Sequence, residues 1–305
     1  MHLIRSIAQA IFALLATLFA VGASAQEPAA VVTTALPAPA PRPALWKVAD
    51  ADTTIYLFGT IHALPPGVQW MTGPIEQALA SSEQLVTEIP DTPPEEMKAA
   101  VLSNAMLPAG QNLRQMLDDA QRAKFESAVT GFGFPVDAFD RFEPWYAAVA
   151  LTALPLEKIG YTAGNGVEER IAAEALRLRK PRMGLETAAY QLAMFDGLPR
   201  DVQKTYLMEV LNDLPTIRQD LAAIVAEWSA GNADKLAELL NAEQDDPRMV
   251  AALLTGRNKM WANWIKARLN RPGTVFMAVG AGHLAGKDSV QDLLGKAGVT
   301  VTRIQ

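Results

Sequence analysis

Two short stretches, far apart in the chain, share one design and constrain the fold more than any other feature. Thr53 to Phe58 is an apolar run that leads into Gly59, Thr60, Ile61 and His62. Thr274 to Val279 is a second one, leading into Gly280, Ala281, Gly282 and His283. Each reads as a β-strand, then Gly-x-x-His, then a turn into a helix. Glycine lets a chain turn sharply at a strand end, and ligands of α/β sheets gather at the carboxyl ends of strands. The pair looks like a remote internal duplication. For both imidazoles to serve one crevice, the two strands must lie close together and run parallel.

The rest of the chain supplies strands and helices around this pair. Leu45 to Val48 pairs with Thr53 to Phe58 as a hairpin across Asp50, Ala51 and Asp52. A helix is expected over Pro74 to Ser82 and a strand over Gln84 to Ile89. The region from Pro93 to about Leu156 is helical, broken at Pro108 to Gly110 and at Gly131 to Pro135. Gly160 to Gly166 is a loop, and Val167, Ile171, Ala175 and Leu178 recur at helical spacing. Arg182 to Glu186 is a short strand, and helices fill Thr187 to Leu269. A helix over Val290 to Ala297 and a strand over Val299 to Ile304 close the chain. The expectation is an α/β fold: a mixed central β-sheet with flanking helices, a large helical insert and two related Gly-x-x-His halves. No polar linker divides the region after residue 44, so residues 44–305 read as one domain.

The start of the chain reads differently. Arg5, an apolar run from Ile7 to about Val21, and Ala23, Ser24 and Ala25 make a secretory signal peptide over residues 1–25. Residues 26–43 carry Pro28, Pro37, Pro39, Pro41 and Pro43 among alanines, a disordered tether. The mature protein is therefore expected to be periplasmic or secreted, and not integral to the membrane. There is no cysteine, which excludes a lipoprotein anchor and disulfide stapling, so stability must come from a core. The formal charge of −6 becomes more negative when Arg5 is removed. Nucleic acid is not the partner.

His2 leaves with the signal peptide, so His62 and His283 are the histidines of the mature chain. Imidazole is both a common metal ligand and the usual base near neutral pH. Glu88 closes the apolar strand at Leu85 and Val86, and Glu186 ends Met183, Gly184 and Leu185. A buried carboxylate needs a metal or a partner. With His62 and His283 these two glutamates form a mixed nitrogen and oxygen ligand set suited to a divalent ion such as zinc, manganese or cobalt. The alternative for each glutamate is a helix cap or an ion pair. Arg257 falls inside the apolar helical stripe of Val250, Leu253, Leu254, Trp261 and Trp264. A guanidinium there needs a carboxylate or a polarised substrate oxygen. Asn258 adjoins it. Tyr161, Asn165 and Glu168 sit on or beside the glycine-rich loop and are candidates to touch substrate. Trp145 and Tyr146 read as core.

These segments also occur in a familiar order. Phe58 to His62, Gly160 to Glu168, Gly184 to Thr187, Arg257 with Asn258, and Val279 to Leu284 together resemble the TraB/GumN family, whose animal relatives are the TIKI proteins. The resemblance covers essentially all of residues 45–305. It implies an EreA/ChaN-like α/β fold and metal-dependent protease activity. By position His62 and His283 match the paired histidines, and Glu88 and Glu186 match family carboxylates. Glu168 stands where the family more often has Asp. The leading expectation is a divalent-metal hydrolase of peptide or amide bonds in the cell envelope. A glutamate would serve as base, and Arg257 or Asn258 would stabilise the oxyanion. The alternative is a non-catalytic envelope protein that binds a peptide, a polysaccharide intermediate or a signalling molecule.

Overall fold

A computed structural model describes residues 40–62, 64–158, 161, 165–240 and 246–305. The expected signal peptide and most of the expected tether lie outside the described residues. The last residues expected in the tether belong to the fold: the Arg42 N–H donates to the Ser229 carbonyl at 2.7 Å.

The elements run β1 (Leu45–Ala49), β2 (Thr53–Thr60), α1 (Pro74–Ser81), β3 (Gln84–Thr87), α2 (Pro94–Asn104), α3 (Asp119–Gly131), α4 (Pro144–Lys158) and α5 (Val167–Arg177). Then come β4 (Arg182–Gly184), α6 (Ala188–Asp196), α7 (Arg200–Asp213), α8 (Ile217–Ser229) and α9 (Ala233–Leu240). A short α10 (Pro247–Val250) passes through a π-helical turn, Ala251–Thr255, into α11 (Gly256–Arg268). β5 (Gly273–Gly280), a 3-10 turn at Ala281–Leu284, α12 (Val290–Lys296) and β6 (Val301–Arg303) finish the chain.

The six strands form one mixed sheet in the order β4-β3-β5-β2-β1-β6. The first four are parallel, and β1 runs antiparallel to both β2 and β6. β2 and β5 are therefore neighbours and parallel, with Thr53 opposite Gly273 and Thr60 opposite Gly280. They are central because their side chains are apolar toward both faces. Phe58, Leu85, Phe276 and Ala278 face α1, α5, α8 and α9 through Leu79, Ile171, Trp228 and Leu240. Ile55, Leu57, Val86, Val275 and Met277 face α11 and α12 through Trp261, Ile265 and Leu294.

The middle of the chain builds a separate apolar cluster. Trp145, Phe125, Phe195, Tyr206 and Val210 pack together from α3, α4, α6 and α7. Trp145 and Tyr146 are core, as their surroundings in the sequence suggest. Among the described residues no helix is long and apolar enough to cross a membrane.

Candidate functional site

The parallel strands bring four side chains to one end of the sheet. His62 lies just past β2, Glu88 just past β3, Glu186 just past β4 and His283 in the turn after β5. Close backbone approach holds these strand ends together. A Cβ on Gly59 would stand 3.1 Å from both Cα and Cβ of Ala281, so the two Gly-x-x-His turns pack directly on each other. A Cβ on Gly184 would fall 2.4 Å from Pro90 Cδ. Neither glycine has positive φ. Their role is close approach, which replaces the sharp turn that the sequence had suggested at Gly59. Beyond the strands, Leu185 and Glu186 N–H donate to the Thr87 and Glu88 carbonyls at 2.9 and 2.8 Å.

Arg257 stands at the centre of the cluster. It is 2 % exposed, and all five of its N–H groups find acceptors. Nε donates to Glu186 at 3.0 Å, and Nη2 to Glu186 at 2.9 Å and Glu88 at 2.5 Å. Nη1 donates to the Leu253 carbonyl at 3.3 Å and to Nε2 of His283 at 3.1 Å. The guanidinium carbon lies 4.7 Å from the Trp261 ring centroid. The Leu253 carbonyl belongs to the π-helical turn, a feature that concentrates at functional sites because it frees backbone groups. Glu186 also accepts from Trp261 Nε1 at 3.0 Å and Gln191 Nε2 at 2.9 Å. Glu88 accepts from the Gly280 N–H at 2.7 Å and Gln191 Nε2 at 3.1 Å. Burial opposes ionisation of Glu88, but the Arg257 charge, with His283, His62 and the Gly280 N–H, outweighs it and holds the carboxyl at about 2.

His283 is fixed in one tautomer by this network. Asn258 donates through Nδ2 to the Asp288 carbonyl at 2.9 Å, which turns its Oδ1 toward His283 Nδ1 at 2.6 Å. Nδ1 therefore carries the proton, and Nε2 accepts from Arg257. Burial, then the neighbouring Arg257 charge, push the imidazole down to about 3. It is a neutral ring at any physiological pH.

His62 differs in every respect. It is 6 % exposed, yet Nε2 has no hydrogen-bond partner. Nδ1 lies 2.7 Å from Glu168 Oε1 as an ion-pair contact. That pairing occupies Glu168 Oε1, and Glu168 Oε2 has no donor. Burial would lower the His62 pKa, but the Glu168 carboxylate overrides it and the net shift is upward from 6.5. Glu168 reaches His62 from the first turn of α5, whose Val167 N–H donates to the Ile61 carbonyl at 3.0 Å. His62, Glu88 and Glu168 line a cleft of about 200 Å³ walled by Ile89, Met97 and Ala172.

A model of the TraB/PrgY/gumN family matches residues 44–303. The chain belongs to the TraB/PrgY/gumN family. It is 24% identical to the uncharacterized protein YbaP of Escherichia coli over 253 residues, covering 83% of this chain and 92% of the relative. An uncharacterized Treponema pallidum protein is 24% identical over 270 residues, covering 82% and 80%. No solved structure matches.

Within this family member, the residues expected at the site divide in two. His62, Glu88, Glu186, Arg257, Asn258 and His283 come together, and Glu168 joins them. Tyr161 packs on the helical cluster instead. Asn165 is exposed, and neither it nor Tyr161 lines the cleft. Part of their loop, residues 159–160 and 162–164, lies outside the described residues. Gln191, which bridges Glu88 and Glu186, does not stand out in the sequence. Its signal is weak: a buried amide one helical turn past Glu186. The expected ligand set does not fit a divalent ion in this arrangement. The lone pairs of Glu88, Glu186 and His283 are directed at Arg257, so the guanidinium is the cation they share. Among the described residues no three His, Asp or Glu side chains are grouped to hold a metal. For the oxyanion role expected of Arg257 or Asn258, Arg257 has no spare donor, and Asn258 Nδ2 is directed at the Asp288 carbonyl.

Proposed function

We propose that this chain is a hydrolase of peptide or amide bonds in the cell envelope, with His62 as the group that moves the proton. The observation that supports it most is the contrast between the two histidines. His283 has both nitrogens bonded and is locked neutral, whereas buried His62 has an unpartnered Nε2 at a cleft and the Glu168 carboxylate 2.7 Å from Nδ1. Burying unpartnered polar atoms costs about 1–3 kcal/mol, a cost a fold retains where those atoms meet a ligand or a reacting group.

In this reading Glu168 orients the imidazole through Nδ1, as the carboxylate does in other carboxylate–imidazole pairs. The neutral ring then takes a proton from water through Nε2, the water oxygen attacks the carbonyl carbon, and the imidazolium returns the proton to the leaving amine. Arg257, Glu88, Glu186, Gln191 and His283 are positioning residues: they fix the strand ends and set the field around His62.

Fluorogenic peptide and amide libraries, assayed with the exported protein, test the proposal. Turnover should fall about 10²–10⁴-fold in His62→Ala. Parallel assays with a chelator and with added zinc, manganese or cobalt decide whether the chain's own residues suffice. Strict dependence on one ion would overturn the ion-free scheme. Tight ligand binding with no turnover under any condition would assign the chain to a binding role instead.

A further inference from the structure

We infer that the cleft in front of His62 receives a cationic amine, so that the ligand carries an ammonium group beside the bond that reacts. This rests on the reading of that cleft as the reaction site, and it narrows the substrate class. Four carboxylates line the cleft: Glu88, Asp91, Glu168 and Glu169. Two of them already have cations. Glu88 is bonded to Arg257, and Asp91 takes both terminal nitrogens of Arg182. Both guanidinium charges are balanced in this way, and of their donors Nε of Arg182 is left without a partner.

The negative charge left over belongs to Glu168 and Glu169. Glu168 Oε1 faces His62 Nδ1 at 2.7 Å, its Oε2 has no hydrogen-bond donor, and Glu169 is exposed beside it. The base role requires a neutral His62, and in that form the Glu168 charge is uncompensated. An independent observation marks the position as built for a ligand. His62 is more than nine-tenths buried, lines the same cleft and has its Nε2 unpartnered.

An ammonium supplies three donors and a positive charge in one compact group, which suits a carboxylate with one oxygen left without a donor and an exposed second carboxylate beside it. Ile89, Met97 and Ala172 give the cleft apolar walls that suit a methylene stem or a small side chain. Two sources offer this chemistry, the free amino terminus of a peptide and a lysine side chain. Acidic envelope polymers, with phosphate or uronate groups, would meet like charge.

Titration calorimetry on the full chain, with four alanine tripeptide amides, separates these cases. One has a free amino terminus, one is N-acetylated, one is N-acetylated with lysine at its second position, and one is N-succinylated. A charge-assisted hydrogen bond predicts that an amine-bearing peptide binds about tenfold or more tighter than the neutral acetylated one. The two amine arms tell terminus from side chain. Glu168→Gln and Glu169→Gln should each reduce that preference. Glu169 is exposed, so its variant carries the test even if Glu168→Gln fails to fold. Equal binding of the neutral peptide, tighter binding of the succinylated one, no binding of either amine at millimolar concentration, or an unchanged preference in Glu169→Gln would overturn the inference. Amine-selective binding without cleavage would sink the hydrolase reading and leave this inference standing. Cleavage without amine preference would do the reverse.

Discussion

Arg257 shows at the scale of one residue how a buried charge organises a site. Removing it leaves Glu88 and Glu186 buried and without a counter-charge. Arg257→Met should therefore cost about 3–5 kcal/mol in urea unfolding. Adding Glu88→Gln and Glu186→Gln to that variant should recover much of the loss, because a buried ion cluster contributes little net stability once all its charges are gone. The two shifted groups also set an acid dependence. His283 has its folded-state pKa depressed to about 3 from 6.5, so its contribution is present above 6.5 and is lost as pH falls toward 3. Glu88 is depressed to about 2 from 4.5, so its contribution is present above 4.5 and is lost as pH falls toward 2. His62 acts in the opposite direction, because its raised value favours the fold below 6.5 and that contribution disappears as pH rises. Equilibrium unfolding in a His62→Gln background should show stability decreasing continuously from pH 6.5 downward. A flat profile between pH 6.5 and 4 would contradict the neutral, locked His283. If His62 is the base proposed above, its raised value predicts that turnover increases with pH through a point above 6.5, as the imidazole loses its proton.

At the scale of elements, glycines decide how closely the site-bearing strands approach. Gly184→Ala would drive a Cβ to 2.4 Å from Pro90 Cδ and 2.5 Å from Pro90 N. That is a backbone and ring obstacle with no rotamer to yield, and a cost of about 1–3 kcal/mol or more is expected. Gly59→Ala meets Ala281 at 3.1 Å and should cost less, while shifting the His283 turn away from the His62 turn. Gly295 is the control. It lies in α12, has no positive φ, and a Cβ there would meet nothing within 4 Å. Gly295→Ala should be neutral to stabilising, by up to about 1 kcal/mol. Denaturation midpoints of the three variants give the order directly. The π-helical turn before α11 acts at the same scale, since it presents the Leu253 carbonyl to Arg257 and fixes the phase at which the guanidinium meets both carboxylates.

For the molecule as a whole, the central pair β2 and β5 is joined across nearly the entire intervening chain, with Thr53 paired to Gly273. Such long-range parallel pairing closes slowly, and it is buried on both faces. Hydrogen exchange should find the β2 and β5 amides among the most protected, and those of the edge strands β4 and β6 much less so. Equal protection across the sheet would refute that ranking. Much of this architecture was legible in the sequence. The doubled strand–Gly-x-x-His pattern located the two central strands, and the parallel pairing it required is the pairing found. Arg257 was legible as buried because it interrupts an apolar stripe, and Glu88 and Glu186 because they close apolar strands. Those signals are local, carried by periodicity and by the cost of burying charge. What the tertiary structure alone decided is which groups meet. The sequence treats His62 and His283 as equivalents, but α11 brings Arg257 and Asn258 to one of them and α5 brings Glu168 to the other. That choice depends on helix phase and packing across the sheet, which no local pattern encodes, and it makes one imidazole a locked structural acceptor and leaves the other beside a carboxylate at the cleft.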